Sequence, residues 1–174
     1  LYAGLRPGET AALSWKDIDF DRNEIHVYKA IESGTKTVKA PKTPAGVRDI
    51  PMRQELRDRL LDAQGRPDDL VFPAPAGGVR SANSLQRLWG SFAHALDLHM
   101  GAKVQDGVIT KHALAPDLTP YCLRHTFCTG LVRRGLDVKS VQYLMGHASA
   151  GVTLDVYSHV NYTDVKEKML DLAS

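Results

Sequence analysis

The stretch from Thr119 to Tyr157 is punctuated too regularly to fold as anything but a run of short helices. Thr119-Pro120 is a helix start, with threonine as N-cap and proline at the first position, where a backbone N–H is not needed. Leu123, Phe127 and Leu131 recur every four residues and mark the face expected to turn inward. Arg133-Arg134-Gly135 ends that helix. Asp137 caps a second one, whose Val138, Val141, Leu144 and Met145 face the core, and Gly146 stops it. A third, short helix carries Tyr157 and is expected to be buried through Val152 and Val156. His147 is thereby fixed on a turn just past a helix stop.

The N-terminal part mixes helix and strand. Gly4-Leu5-Arg6-Pro7-Gly8-Glu9 reads as a turn entering a helix, with Pro7 first in it and Glu9 near the positive end of its dipole. Arg6 therefore sits on a turn. The helix is expected to run to about Ser14, with Leu13 and Trp15 inward. Leu1 to Leu5 reads as the end of a helix whose start is missing, which suggests a fragment of a longer polypeptide. Three short strands follow: Glu24–Tyr28, Thr35–Lys39 after a Ser33-Gly34 turn, and Val47–Met52. Lys42 lies in the loop between the second and third. Gln54–Ala63 is helical by its Leu56, Leu60 and Leu61. Ser84–Leu98 is helical by a stripe of Leu85, Leu88, Trp89, Phe92 and Leu96, with His94 and His99 as surface histidines. Gly101 to Ala115 has no clear period and suits a small hairpin or surface insertion. Thr163 to Leu172 is a final amphipathic helix. The expected class is mainly α with a small three-stranded antiparallel β-sheet, in one domain over residues 1–174.

At 174 residues the chain can bury a core, and its 43% hydrophobic and 24% charged content is ordinary. No apolar run is long enough to span a membrane. Cys122 and Cys128 are six apart on one helix, so they form neither a disulfide framework nor a four-ligand zinc site. With no secretory signal in the opening residues, this suggests a reducing compartment, most simply the cytoplasm. The net charge of +2 argues little. Its distribution argues more: Lys29, Lys36, Lys39, Lys42 and Arg48 face only Glu32, a basic strip able to meet phosphates. Asp17, Asp19 and Asp21 lack the glycine and terminal glutamate of a calcium loop and read as turn formers. No metal or other cofactor is expected.

Two arginines on turns or helix starts can hold a phosphate through paired N–H donors, and they stay charged at any relevant pH. A tyrosine can attack phosphorus and keep the product as a covalent ester. A free phenol has a pKa of about 10, so neighbouring cations and a histidine would help it ionise. Expulsion of a sugar hydroxyl needs a proton, which lysine or histidine can supply.

Five stretches, in order, resemble the boxes of the tyrosine recombinases of the phage integrase family. Gly4 to Glu9 with Leu13 to Asp19 resembles the first-arginine box. Lys42-Thr43 with Arg48-Asp49-Ile50-Pro51 resembles the β-hairpin lysine box, and Leu123 to Phe127 the second-arginine box. Leu144-Met145-Gly146-His147 and Thr153 to His159 resemble the last histidine and the nucleophile box. The resemblance implies the catalytic-domain fold of these DNA breaking-rejoining enzymes. It also implies a role for each matching residue. Arg6 and Arg124 would clamp the scissile phosphate, and Lys42 would protonate the leaving 5′-hydroxyl. His147 would bond the phosphate and assist Tyr157, which would form a 3′-phosphotyrosyl DNA intermediate. Lys36, Lys39 and Arg48 would join Lys42 in contacting DNA.

One position departs from the pattern. Where the family usually has histidine, three residues before the second arginine, this chain has Tyr121. The phenol can donate a hydrogen bond to phosphate but does not take up a proton near pH 7. His125 lies about 100° round the helix from Arg124 and is not expected to substitute. Double-stranded DNA is the implied partner, with a homotetramer in the full-length protein, possible accessory DNA-bending proteins, and separate N-terminal core-binding and arm-binding domains. Integration or excision of a phage or other mobile element is the implied process. A catalytically impaired DNA-binding module of the same fold and a type IB topoisomerase-like activity are the alternatives.

Overall fold

A computed structural model describes residues 2–32 and 35–157. The expected Ser33-Gly34 turn and the helix over 163–172 lie outside them, as do Ser158 and His159.

The first helix, α1 (Pro7–Ala12), starts at Pro7 as expected and stops two residues before Ser14, because Leu13 is extended and its N–H turns back three residues to Thr10 O. Tyr2 to Arg6 are not helical. A 3-10 turn over Trp15–Asp17 then leads into β1 (Ile18–Asp19). Asp19 Oδ1 accepts from the N–H groups of Asp21 and Arg22, at 2.9 and 2.7 Å, and so folds the turn into β2 (Glu24–Val27).

The fold is mainly helical and carries a three-stranded antiparallel sheet, ordered β1-β2-β5, with β5 over Arg48–Pro51. Its third member is Ile18–Asp19 rather than the expected Thr35–Lys39. That segment contributes β4 (Val38–Lys39), which pairs with β3 (Ala30–Ile31) in a separate ladder. The run over 35–39 is long enough to show a polar-apolar period, whereas a two-residue strand has none to read. Within the sheet Ile25 lies opposite Ile50 and Val27 opposite Arg48. The alternation buries Arg48 and Ile50 on one face.

That face meets α2 (Gln54–Asp62) through a core of Leu13, Trp15, Ile18, Ile25, Val27, Ile50, Met52 and Leu60. Complete burial of a side chain such as Ile25 or Ile50 stabilises by roughly 1.5–3 kcal/mol. Leu61, expected inward, is 42% exposed. The longest helix, α3 (Ala82–His99), packs only partly: Leu85 touches a small core of Ala11, Ala12 and Ile31, while Leu88 and Phe92 of its apolar stripe are exposed. His94 and His99 are exposed, as expected.

The aperiodic segment resolves into a hairpin of β6 (Lys103–Gln105) and β7 (Val108–Lys111). Asp106 and Gly107 both have positive φ, the geometry of a two-residue hairpin turn. Buried Asp97 pins its base by accepting from Ala113 and Leu114 N–H and pairing with His112.

The C-terminal helices are α4 (Pro120–Arg133), α5 (Val138–Met145) and α6 (Ala150–Tyr157). They share a core of Cys128, Val132, Val141 and Met145, with Phe127, Leu131, Leu136 and Val156 against it. On α4 the fully buried residues are Arg124, Cys128 and Val132, one step round from the expected Leu123, Phe127 and Leu131, which are half-buried. The inward turn of Arg124 accounts for that rotation. On α6 it is Thr153 that is buried, whereas Val152 is 52% exposed.

Candidate active site

The site is assembled on the C-terminus of α5. Asp137 caps the other end, its side chain accepting from Lys139 and Ser140 N–H. At the C-terminus Gly146 takes the left-handed conformation, φ +60, and a Cβ there would lie 2.8 Å from Arg48 Nη1. The last carbonyls of a helix lack intrahelical donors and carry the negative end of its dipole. Three guanidiniums satisfy them in succession. Arg48 Nε donates to Leu144 O at 2.8 Å, Arg124 Nη2 donates to Met145 O, and Arg6 Nη2 donates to Gly146 O at 2.7 Å.

One carboxylate joins this cationic group. Glu9 accepts from Arg48 through both oxygens, at 3.0 and 2.9 Å, and from Arg6 Nη1 at 2.8 Å. Burial alone would raise its pKa, but Arg48 and then Arg6 hold it below the ordinary carboxylate value. Arg124 also donates to Gly4 O at 2.5 Å. Its pKa is pushed down to about 10, by burial first and then by Arg6, so it remains a cation at neutral pH.

Arg6, Tyr121, Arg124, His125 and His147 line a cleft of about 320 Å³. Arg6 keeps 35% of its side chain exposed and has N–H donors to spare. His147 Nδ1 hydrogen-bonds Thr153 Oγ1 at 2.9 Å, which leaves Nε2 as the ring nitrogen without a partner among the described residues. Its pKa is lowered to about 4, by burial first and then by Arg124, Arg6, Arg48 and His125. The ring is therefore neutral at pH 7. The cleft offers two cations and a phenol, donors suited to a phosphate, together with the imidazoles of His125 and His147, the latter neutral.

The expected site residues are only partly brought together. Arg6, Tyr121, Arg124 and His147 share the cleft. Tyr157 closes α6, directly after cleft-lining Val156. Lys42 is exposed in the loop between β4 and β5 and does not line the cleft.

The basic strip needs correction. Arg48 has 0% of its side chain exposed and turns into the molecule to pair with Glu9, so it offers no surface to DNA. Lys29 is drawn back onto Asp17, 2.6 Å away, and Lys39 pairs with Glu32 at 2.7 Å. Lys36 and Lys42 remain exposed. Asp17 is no simple turn former either, since it is buried under Lys29, Tyr28 and Ser14. The cleft also includes His125, which helix geometry alone had set aside. Glu9 and Thr153 hold the site together without being expected there. Signals for both existed: Glu9 falls at the third position of a helix whose N-cap is Arg6, and Thr153 is the polar residue on the inner face of α6.

The sequence profile of the phage integrase family matches residues 1–164. The chain is 27% identical over 183 residues to the transposase from transposon Tn916 of Enterococcus faecalis, covering 97% of this chain and 42% of that protein. It is 30% identical to the ICEBs1 integrase of Bacillus subtilis, covering 97% and 45% respectively. It is 31% identical to a tyrosine recombinase XerC of Mesorhizobium japonicum, covering 91% and 44%. The chain thus spans less than half the length of these relatives. Among solved structures, the Tn1549 transposon integrase in complex with transposon right end DNA matches with a TM-score of 0.79 and 28% identity, over 99% of this chain and 56% of that one.

Proposed function

The chain belongs to the phage integrase family, and from that premise we propose that it is the catalytic domain of a larger site-specific DNA recombinase acting through a covalent phosphotyrosyl intermediate. The observation that carries this reading is the cleft itself. Arg6, Arg124 and neutral His147 are anchored on one helix end, and the helix bearing Tyr157 follows within a few residues.

In this reading Arg6 and Arg124 hold the non-bridging oxygens of a DNA phosphodiester and take up the charge that develops on them. Removing one preorganised donor from the oxyanion hole of a protease costs roughly 3–4 kcal/mol, and a loss of that order is expected here. Tyr157 attacks phosphorus. Its O–P bond forms as the bond to the 5′-oxygen breaks, Lys42 gives that oxygen its proton, and the phenolic proton of Tyr157 passes to His147 Nε2. The loop carrying Lys42 swings onto bound DNA for this step. The guanidiniums supply the charge stabilisation that a metal gives in other phosphoryl-transfer sites. Because the ester conserves the bond energy, attack by a second 5′-hydroxyl completes strand exchange.

Tyr121 adds one hydrogen bond to the phosphate. The integrase and transposase relatives favour integration or excision of a mobile element over relaxation of supercoils. Partner subunits in a tetramer, DNA-bending proteins and preceding DNA-binding domains complete the machine we envisage.

The test uses the full-length protein and a nicked duplex that loses its 5′-hydroxyl fragment after cleavage. Wild type accumulates a protein–DNA adduct and Tyr157→Phe forms none. DNA binding without adduct on any attachment site would identify a binding module instead.

A further inference from the structure

Arg48 is the one guanidinium of the cluster that cannot reach a ligand. We propose that it is a positioning residue of the same site, locking Arg6 and the His147 turn into one rigid unit; this rests on the recombinase reading above.

Its side chain is completely buried and every bond it makes points inward. Nη1 and Nη2 grip both oxygens of Glu9, and Nη1 also donates to Gly46 O at 3.1 Å. Glu9 in turn holds Arg6, and Arg6 donates to Gly146 O. Arg48 Nε reaches Leu144 O, two residues back along the same turn. The bonds therefore close a ring that runs from Arg48 through Glu9, Arg6 and Gly146 to Leu144 and back to Arg48. His147 follows Gly146 directly, so the ring fixes the phosphate clamp and the imidazole relative to each other.

Guanidinium geometry is required for this. A lysine ammonium is a point charge and cannot fork onto a carboxylate while also capping a carbonyl on the other side. Stability alone is a poor reason for such a group, because a buried ion pair is often replaceable by apolar residues at no loss. Rigid placement is a better one, since a misplacement of about 1 Å can cost about 100-fold in rate. Arg48 also contributes to the low pKa of His147, after burial, Arg124 and Arg6.

The experiment compares wild type with Arg48→Lys and Arg48→Met in the full-length protein. It measures duplex affinity, the adduct-forming rate at saturating protein across pH, and thermal melting. We expect affinity within about 2-fold of wild type and a saturated rate lower by about 10–100-fold. Arg48→Met further moves the acidic limb of the pH–rate profile upward, a change that loose packing alone does not produce. Should neither variant fold, Glu9→Gln, which keeps the shape but breaks the fork, decides by the same rate loss. A folded variant with the wild-type saturated rate, or one that loses affinity only, overturns the inference and leaves the recombinase reading standing. Absence of any adduct with wild type overturns both.

Discussion

Tyr121 stands 52% exposed on the cleft wall, three residues before buried Arg124. In the proposed reaction it contributes a hydrogen bond and no proton transfer, so a histidine there should serve at least as well. Tyr121→His is expected to form adduct at the wild-type rate or faster; a large loss in single-turnover cleavage would show that the phenol is specifically adapted. His125 sits in the same cleft even though it is adjacent to Arg124 in sequence. A 100° step along the helix does not take His125 out of the cleft, because Tyr121, Arg124, His125 and Cys128 of α4 all line it. His147 was legible from its glycine, but its electrostatic setting was not, since three of the cations around it come from distant segments. Its folded pKa of about 4 lies below the free value of 6.5. The unfolded chain thus binds a proton first as pH falls, and stability present above pH 6.5 is lost between there and about pH 4. Denaturant titrations should show this loss in wild type and a flatter dependence in His147→Asn. Below about pH 4.5 the lowered pKa of Glu9 adds a further loss in both proteins.

At the scale of elements, α5 owes its eight residues to its two ends. An isolated helix this short is unstable in water, and α5 is capped by Asp137 at one end and by guanidiniums at the other. Asp137→Ala removes the N-cap and should cost about 1 kcal/mol, read as a drop of about 2–4 °C in Tm, with the cleft intact. Caps and glycine stops act locally, which is why the starts of α1, α4 and α5 are legible in the sequence. Strand partners could not. Pairing of Ile18–Asp19 with β2 depends on a turn organised by one aspartate, and Val38–Lys39 joins another ladder. The apolar stripe of α3 was read correctly as helical, but period says nothing about how much of a face finds a partner.

At the scale of the molecule, three cores divide the apolar residues among the described residues, and the Arg48–Glu9 pair lies where the sheet meets α5. A count of charges along the chain does not reveal its burial, because direction on the strand decides it. Ile50 points inward, and residues two apart on a strand share a face, so the same reasoning places Arg48 inward as well. The bonds that build the cleft join residues 140, 120 and 96 positions apart. Contacts of such separation come late in folding, after the loop-closure entropy between them has been met. In the proposed reaction, neither half of the chain alone would then grip a phosphate, and Tyr157, the proposed nucleophile, would follow its clamp during synthesis. Refolding followed in parallel by circular dichroism and by adduct formation should show helices returning well before cleavage does. Simultaneous recovery would mean that the clamp forms early. For the recombinase proposed above, competence to cut DNA would then be the last property the fold acquires.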